Sequence, residues 1–384
     1  MFEQIKEQDE TYILHSYGRV AVALESGSGV HAVDTAGKTY VDFTSGIGVN
    51  SLGYCHPKWV QAVIAQAGKI QHMSNYYYSP IAIELAAKLT KAAGLSRVFF
   101  CNSGAEANEC AIKIARKAGI KKGATIVTLK NSFHGRTLTT LAATGQESFH
   151  RDFLPLTPGF VSCQAGDIDA LKNAIDSTVC AVLLECVQGE GGVLPMSEDY
   201  LRAVRALCDE RDILLLVDEV QTGVGRTGYF YAYQSAGITP DVVTSAKGLA
   251  GGLPIGACLV SEKWKDIFAP GNNGSTFGGN PVVCAGAIAV IDEINTPEFL
   301  ESVLEKGAYF KAELEKISGV KFVRGKGLML GVALKDKDAH QVLTTCAQAG
   351  LLVLTAKELI RFLPPLNITK EEIDEGLKIF AACV

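Results

Sequence analysis

Five short apolar runs recur through the middle of the chain: Arg97–Cys101, Thr125–Leu129, Val179–Leu184, Ile213–Val217 and Val242–Ser245. They are β-branched or Leu-rich and lack period-two alternation, as strands covered on both faces do. Stretches with helical spacing lie between them, at Ala105–Ala118, Ile168–Asp176 and Glu198–Arg211. Such alternation predicts an α/β domain with a mostly parallel sheet. The last hundred residues read differently. Pro297–Ile317 predicts one long helix, with Thr296 as N-cap and Pro297 at the first helical position. Val320–Val323 and Met329–Leu334 predict short strands, and Ala339–Ala349 another helix. The expected division is a large α/β domain over residues 51-280 and a small α+β domain built from 1-50 with 281-384.

Composition narrows the function classes. The 384 residues are 48% hydrophobic and 20% charged, with a formal net charge of −5. Nothing is basic enough for a nucleic-acid surface. Met1–Glu10 has four acids and no apolar core, so it is not expected to be a signal peptide. Uncharged stretches such as Gly248–Ser261 are too short to span a bilayer. The 11 cysteines include no C-x-x-C pair, and most sit in apolar runs. They read as reduced, buried thiols of a cytoplasmic protein. The seven histidines show no metal-ligand spacing, so no metal is expected.

Chemically loaded residues stand directly after the apolar runs. Asn102–Gly104 follows the first and Phe133–Arg136 the second; Glu185, Asp218–Glu219 and Lys247 follow the others. Ligands of an open parallel sheet bind outside the carboxyl ends of its strands, so these distant positions are expected to meet in one cleft. Asp218 ends a buried run, as a turn cap would or as a functional carboxylate would. Lys247 is the only charged residue between Asp241 and Glu262. A lysine there is either a snorkelling surface residue or a desolvated amine, with a lowered pKa, able to form an imine. An acid for a pyridine nitrogen and an amine for an aldehyde are the two groups pyridoxal phosphate most needs. Ser103–Glu106, between a strand and a helix, reads as a capping box and equally as an anion site at a helix N-terminus.

Gly223–Gly228 matches G-x-G-x-x-G. The dinucleotide fingerprint should follow a strand directly and open a helix. Here Asp218–Thr222 intervenes and no helix start follows, which argues against a nicotinamide cofactor.

Six longer stretches carry a resemblance: Phe100–Glu109 (FCNSGAEANE), Phe133–Thr137 (FHGRT), Leu184–Gly192 (LECVQGEGG), Val217–Gly228 (VDEVQTGVGRTG), Gly274–Pro281 (GSTFGGNP) and Arg361–Leu366 (RFLPPL). In this order they resemble the class III (fold type I) pyridoxal-phosphate-dependent aminotransferases, and among them the acetylornithine aminotransferases. The likeness runs from about residue 16 to the C-terminus. Two departures stand out: Cys186 where the family has Pro, and Thr355–Glu358 in place of a Gly-rich approach to Arg361.

The resemblance implies a seven-stranded, mainly parallel sheet and a set of roles. Lys247 holds the cofactor and moves the proton. Asp218 pairs with the ring nitrogen, Gln221 lies on the ring hydroxyl side, and Phe133 stacks on the ring. Ser103, Gly104 and Ala105 hold the phosphate. Thr276 reaches the phosphate of the other subunit in a homodimer, with Ser275 near the substrate. Arg136 and Arg361 bind carboxylates, and Glu185 pairs with Arg361 to mask it. The implied reaction moves the δ-amino group of N2-acetyl-L-ornithine to 2-oxoglutarate, giving glutamate, in arginine biosynthesis. An ornithine δ-aminotransferase, a succinylornithine or succinyl-diaminopimelate aminotransferase, an aminomutase or lyase on the same fold, and a non-catalytic binding protein stay open beside it.

Overall fold

The computed structural model describes residues 1–384. Seven strands form the large sheet, in the spatial order Arg97–Cys101, Gly256–Val260, Val242–Ser245, Leu214–Asp218, Val179–Glu185, Thr125–Leu129, Phe160–Cys163. Neighbours pair parallel, except that Gly256–Val260 runs antiparallel to both of its neighbours. Every residue of the four strands at 179–185, 214–218, 242–245 and 256–260 is buried. The missing alternation therefore reports two covered faces. All five predicted strands are present. Two more escaped the sequence reading. Phe160–Cys163 is an edge strand with two exposed positions, and Gly256–Val260 opens on a glycine.

Two strand ends run one residue further than predicted, and this matters for the site. Asp218 and Glu185 are themselves the last residues of their strands, and they are register partners. Asp218 also faces Thr244 on its other side. Three strand ends thus set their side chains next to one another. Beside them the helix Gly104–Ala118 starts where the Ser103 hydroxyl accepts the Glu106 amide. Its buried positions Ala107, Cys110, Ala111 and Ile114 keep the 3.6 period that seats one face on the sheet. Truncating Ile114 to Ala would cost roughly 2–5 kcal/mol.

Two four-stranded sheets stand apart, and Val187–Gln188 pairs with Leu194–Pro195 in a two-stranded ladder. Val320–Lys326, Met329–Leu334, Leu359–Phe362 and Leu354–Ala356 form one, in that order and antiparallel throughout. Leu24–Ser28, His31–Asp34 and Thr39–Asp42 form the other, joined in parallel by Leu351–Leu352. Pro297–Glu315 is the predicted long helix, capped by Thr296 and ending two residues short of expectation. Phe43, Phe310, Phe362 and Phe380 pack ring on ring, with centroids 5.2–5.8 Å apart. This cluster anchors Phe362, and with it the neighbouring Arg361. No helix is long and apolar enough to cross a membrane.

Candidate active site

A cavity of about 440 Å³ opens at the carboxyl ends of the large sheet. Ser103, Gly104, Ala105, Phe133, Arg136, Glu185, Asp218, Gln221 and Lys247 all line it. Ser103 and Lys247, 144 positions apart in the chain, converge there, as strand-end placement required.

Asp218 anchors one end. Its Oδ2 accepts from Asn108 Nδ2 at 2.7 Å and faces His134 Nδ1 at 2.8 Å; its Oδ1 accepts the Val220 amide at 3.0 Å. A carboxylate can only accept, so His134 donates from Nδ1. Asn108 is fixed in turn, because its Oδ1 accepts from Thr244 Oγ1 at 2.7 Å and its Nδ2 also reaches the His134 carbonyl. Asp218, Asn108, His134 and Thr244 are all buried. The sequence reading assigned no role to Asn108 or His134. Asn108 lies one turn into the helix that starts at Gly104, and His134 lies between Phe133 and Arg136.

Lys247 follows the strand Val242–Ser245 and opens a short 3-10 turn. Its φ of 43° is left-handed, a strain that costs on the order of 1–3 kcal/mol at a non-glycine residue and clusters at functional sites. Burial lowers its pKa below the ordinary 10.5, and Arg361 adds to this, against the opposing pull of Glu190, Asp218 and Glu185. The amine is thereby pushed toward its nucleophilic neutral form.

The turn Ser103–Ala105 forms half of the expected capping box, because Glu106 turns to the Asn102 amide and not to that of Ser103. Ser103 Oγ accepts the Glu106 amide at 3.2 Å, and Glu106 Oε2 accepts the Asn102 amide at 2.7 Å. The amides of Gly104 and Ala105, in the first turn, have no carbonyl within the helix to bond and stay available to an anion. A Cβ on Gly104 would come within 2.7 Å of Val220 on the cavity wall, so the turn can sit this close only as glycine. Phe133 packs edge-on against Phe149, and the Arg136 guanidinium lies 4.0 Å over the Phe149 ring. Arg136 makes no ion pair and stays exposed at the cavity wall.

The far end corrects an expectation. Glu185 does not pair with Arg361. Its Oε2 accepts the Phe133 amide at 3.0 Å and its Oε1 the Gly189 amide at 3.4 Å. Burial, with Asp218 close by, pushes its pKa up to about 7, against the opposing pull of His134 and of these two amides. The partner of Arg361 is Glu190, at 2.6 Å from Nη1. Gln221 completes the group: its Oε1 accepts from the same Nη1 at 3.1 Å and its Nε2 donates to Glu190 at 3.3 Å. Burial alone would raise Glu190, but Arg361, together with Lys247 and Gln221, holds the carboxyl below its ordinary value. Arg361 is buried and lines no part of the cavity; Glu190 and Gln221 do.

Ser275 and Thr276 lie outside this chain's cavity. Ser275 Oγ accepts from Asn102 Nδ2 at 3.2 Å, next to the Ser103 turn, and Thr276 is exposed. Gly223–Gly228 forms consecutive turns, and the next element is a short 3-10 helix at Ala232–Ala236 that does not start from the motif.

This fold and this cleft define a pyridoxal-phosphate-dependent transferase of fold type I. The chain matches the model of the class-III aminotransferases over residues 12–384, and it belongs to that family. It is therefore a pyridoxal-phosphate-dependent transaminase. Among its relatives is the acetylornithine aminotransferase of Haemophilus ducreyi, 50% identical over 99% of this chain and 98% of that one. The crystal structure of N-acetylornithine aminotransferase from Stenotrophomonas maltophilia is 37% identical and superposes with a TM-score of 0.85, covering 98% and 97% of the two chains. That of ornithine aminotransferase from Toxoplasma gondii superposes at 0.95 with 31% identity, covering 100% and 94%. The site fits the cofactor on its own terms. It holds a desolvated amine, a buried acid fixed by three donors, and a helix N-terminus with free amides beside a glycine that admits no Cβ.

Proposed function

We propose that this chain moves the δ-amino group of N2-acetyl-L-ornithine to 2-oxoglutarate, yielding N-acetylglutamate 5-semialdehyde and L-glutamate, in arginine biosynthesis. The observation that carries the reading is the unequal state of the two arginines. Arg136 faces the cavity unpaired, whereas Arg361 is masked by Glu190. A monocarboxylate donor needs one arginine, and a dicarboxylate acceptor needs two. An arginine left unpaired in a closed site would cost several kcal/mol, which the Glu190 pairing avoids. The names of the relatives point the same way. A panel of acetylornithine, succinylornithine, succinyl-diaminopimelate and free ornithine, with 2-oxoglutarate as acceptor, tests it. Acetylornithine should give the highest kcat/KM; preference for free ornithine would make the chain an ornithine δ-aminotransferase.

Bound pyridoxal phosphate supplies an electron sink for the carbon that loses its proton. Lys247 Nζ would hold the cofactor until the substrate amine displaces it, and the freed amine would then move the proton from the substrate's amine-bearing carbon. Asp218 keeps the ring nitrogen protonated, and His134 and Asn108 hold Asp218 in place. Gln221 would serve the ring hydroxyl, and Phe133 would stack on the ring. Ser103, Gly104 and Ala105 hold the phosphate. Arg136 grips the carboxylate common to both substrates. Glu190 swings off Arg361 when a second carboxylate arrives.

The same reading extends to assembly. Asn75 Nδ2 donates to the carbonyls of Ser275 and Gly278, joining the Tyr76–Tyr78 segment to the Gly274–Gly279 segment. Tyr76, Tyr78 and Phe277 are 93%, 94% and 61% exposed, an aromatic surface suited to a second copy of the chain. In a homodimer Thr276 would then serve the partner's phosphate site, with Ser275 beside the substrate. Sedimentation at assay concentration should find a dimer or a multiple of one; a competent monomer would exclude shared sites. The domain division at 51-280 and at 1-50 with 281-384 draws support from the pairing of Leu351–Leu352 with Val41–Asp42. A cytoplasmic location suits eleven free cysteines, ten of them buried.

A further inference from the structure

The Gly223–Gly228 motif lines no part of the cavity, yet it carries Arg226, the largest of the fully buried side chains, 2% exposed. No carboxylate faces it. Its Nη1 donates to two main-chain carbonyls, Leu328 O at 3.0 Å and Pro364 O at 2.5 Å, and its Nη2 has no partner. The Arg226 carbonyl also accepts the Leu328 amide at 3.0 Å, so main chain and side chain grip the same residue. A buried guanidinium without a counter-ion is costly, and packing alone does not account for it.

What it holds is informative. Leu328 directly precedes the strand Met329–Leu334, and Pro364 lies two residues beyond the strand Leu359–Phe362. These strands pair, with Gly331 opposite Arg361. Past Arg361 the chain is stitched down at intervals: the Leu363 amide donates to Phe43 O at 2.8 Å, the Leu366 amide to Ser51 O at 2.7 Å, and Lys306 Nζ to Leu366 O at 2.6 Å. Pro364 and Pro365 have no N–H, so between those stitches only carbonyls can be held. Arg226 holds one of them. A Cβ on Gly48 would come within 3.9 Å of its Nε and Nη2, and Val49, the next residue, lines the cavity.

We propose that Arg226 is a positioning residue for the dicarboxylate half-reaction: by holding Leu328 and Pro364 it sets the Arg361 strand at a fixed distance from the Asp218–Gln221 floor. The inference rests on Arg361 as the clamp for the second carboxylate. Displacing a substrate-positioning group by about 1 Å can cost a hundredfold, so loosening this joint bears on whichever substrate uses Arg361.

The test is single-turnover spectroscopy of the holoenzyme, one half-reaction at a time, in R226K, R361K and the double variant. R226K should weaken glutamate by about tenfold or more, as R361K does, while the acetylornithine half changes by less than about threefold. The double variant should be no worse than R361K, because both changes act through one group. Equal slowing of both halves by R226K, or full additivity with R361K, overturns the proposal. If R361K shows no bias toward glutamate, the reading of Arg361 is what fails. Hydrogen exchange then judges Arg226 alone: faster exchange at Leu363 and Leu366 supports the joint, and unchanged exchange removes it. Should R226K not fold, K306M releases the same segment at Leu366. It should shift glutamate binding in the same direction, less strongly; no shift overturns the proposal.

Discussion

The two ends of the cavity hold their charges in different ways. At the Asp218 end every side chain is buried and bonded to a buried neighbour, in the chain Thr244–Asn108–Asp218–His134, with His134 Nε2 left without a partner. At the Arg361 end the arginine leans on Glu190, whose side chain keeps 29% of its exposure, and Arg361 Nε has no partner. The first arrangement rigidifies, because each partner removes the freedom of the next. The second leaves the arginine on a partly exposed acid, which the proposed exchange of one carboxylate for another requires. A ping-pong enzyme needs both. The cofactor is the same in each half-reaction, and the substrate is not.

Changes at the rigid end should therefore harm both half-reactions alike, and the largest loss falls on Lys247. K247A should lose all turnover, and borohydride should no longer fix cofactor to the chain. Normal turnover in K247A would remove Lys247 from the chemistry. D218N comes next. An amide carries no charge to keep a ring nitrogen protonated, so both halves should slow by about a hundredfold or more, roughly 3 kcal/mol of barrier. A loss of a few-fold only, measured by single turnover, would make Asp218 a structural cap.

Glu185 sharpens the contrast through stability. Burial pushes its pKa from 4.5 up to about 7, so the folded state keeps a proton that the unfolded chain has released. That contribution is full below about 4.5 and is lost as pH rises toward about 7. E185Q should flatten the fall of Tm across this window. The fall should not vanish, because burial also pushes Glu219 up to about 7. An unchanged slope in thermal melts would mean that Glu185 is already charged in the fold.

This contrast also separates what the sequence made legible from what it did not. Asp218 and Lys247 were readable because each is a charge at the end of an apolar run, where burial leaves few structural uses for it. The Ser103 turn was readable from its spacing. The masking acid was misread: Glu185 and Glu190 stand five residues apart in one motif, and nothing in their order says which side chain turns toward Arg361. The strand-end position favoured Glu185, but the Phe133 and Gly189 amides occupy it there. Glu190 lies among Gly189, Gly191 and Gly192, in a loop whose path is set by tertiary contact. A Cβ on Gly189 would strike the Gln221 amide at 2.1 Å. Asn108 and His134 were hidden for a related reason, since only assembly brings a helix and a loop onto the same carboxylate. Gly256–Val260 escaped because an antiparallel strand inside a parallel sheet carries no mark in its own residues.

The adjustable end is the central claim, and E190Q tests it most directly. With no acid to neutralise Arg361, the acetylornithine half-reaction should slow by about tenfold or more, while the glutamate half-reaction is preserved or improved. Single-turnover spectroscopy of the holoenzyme, run separately with acetylornithine and with glutamate, reads both. A shift of the ratio toward glutamate is the predicted result. Equal slowing of the two halves would contradict the account and leave Glu190 as a fixed ion-pair partner of Arg361.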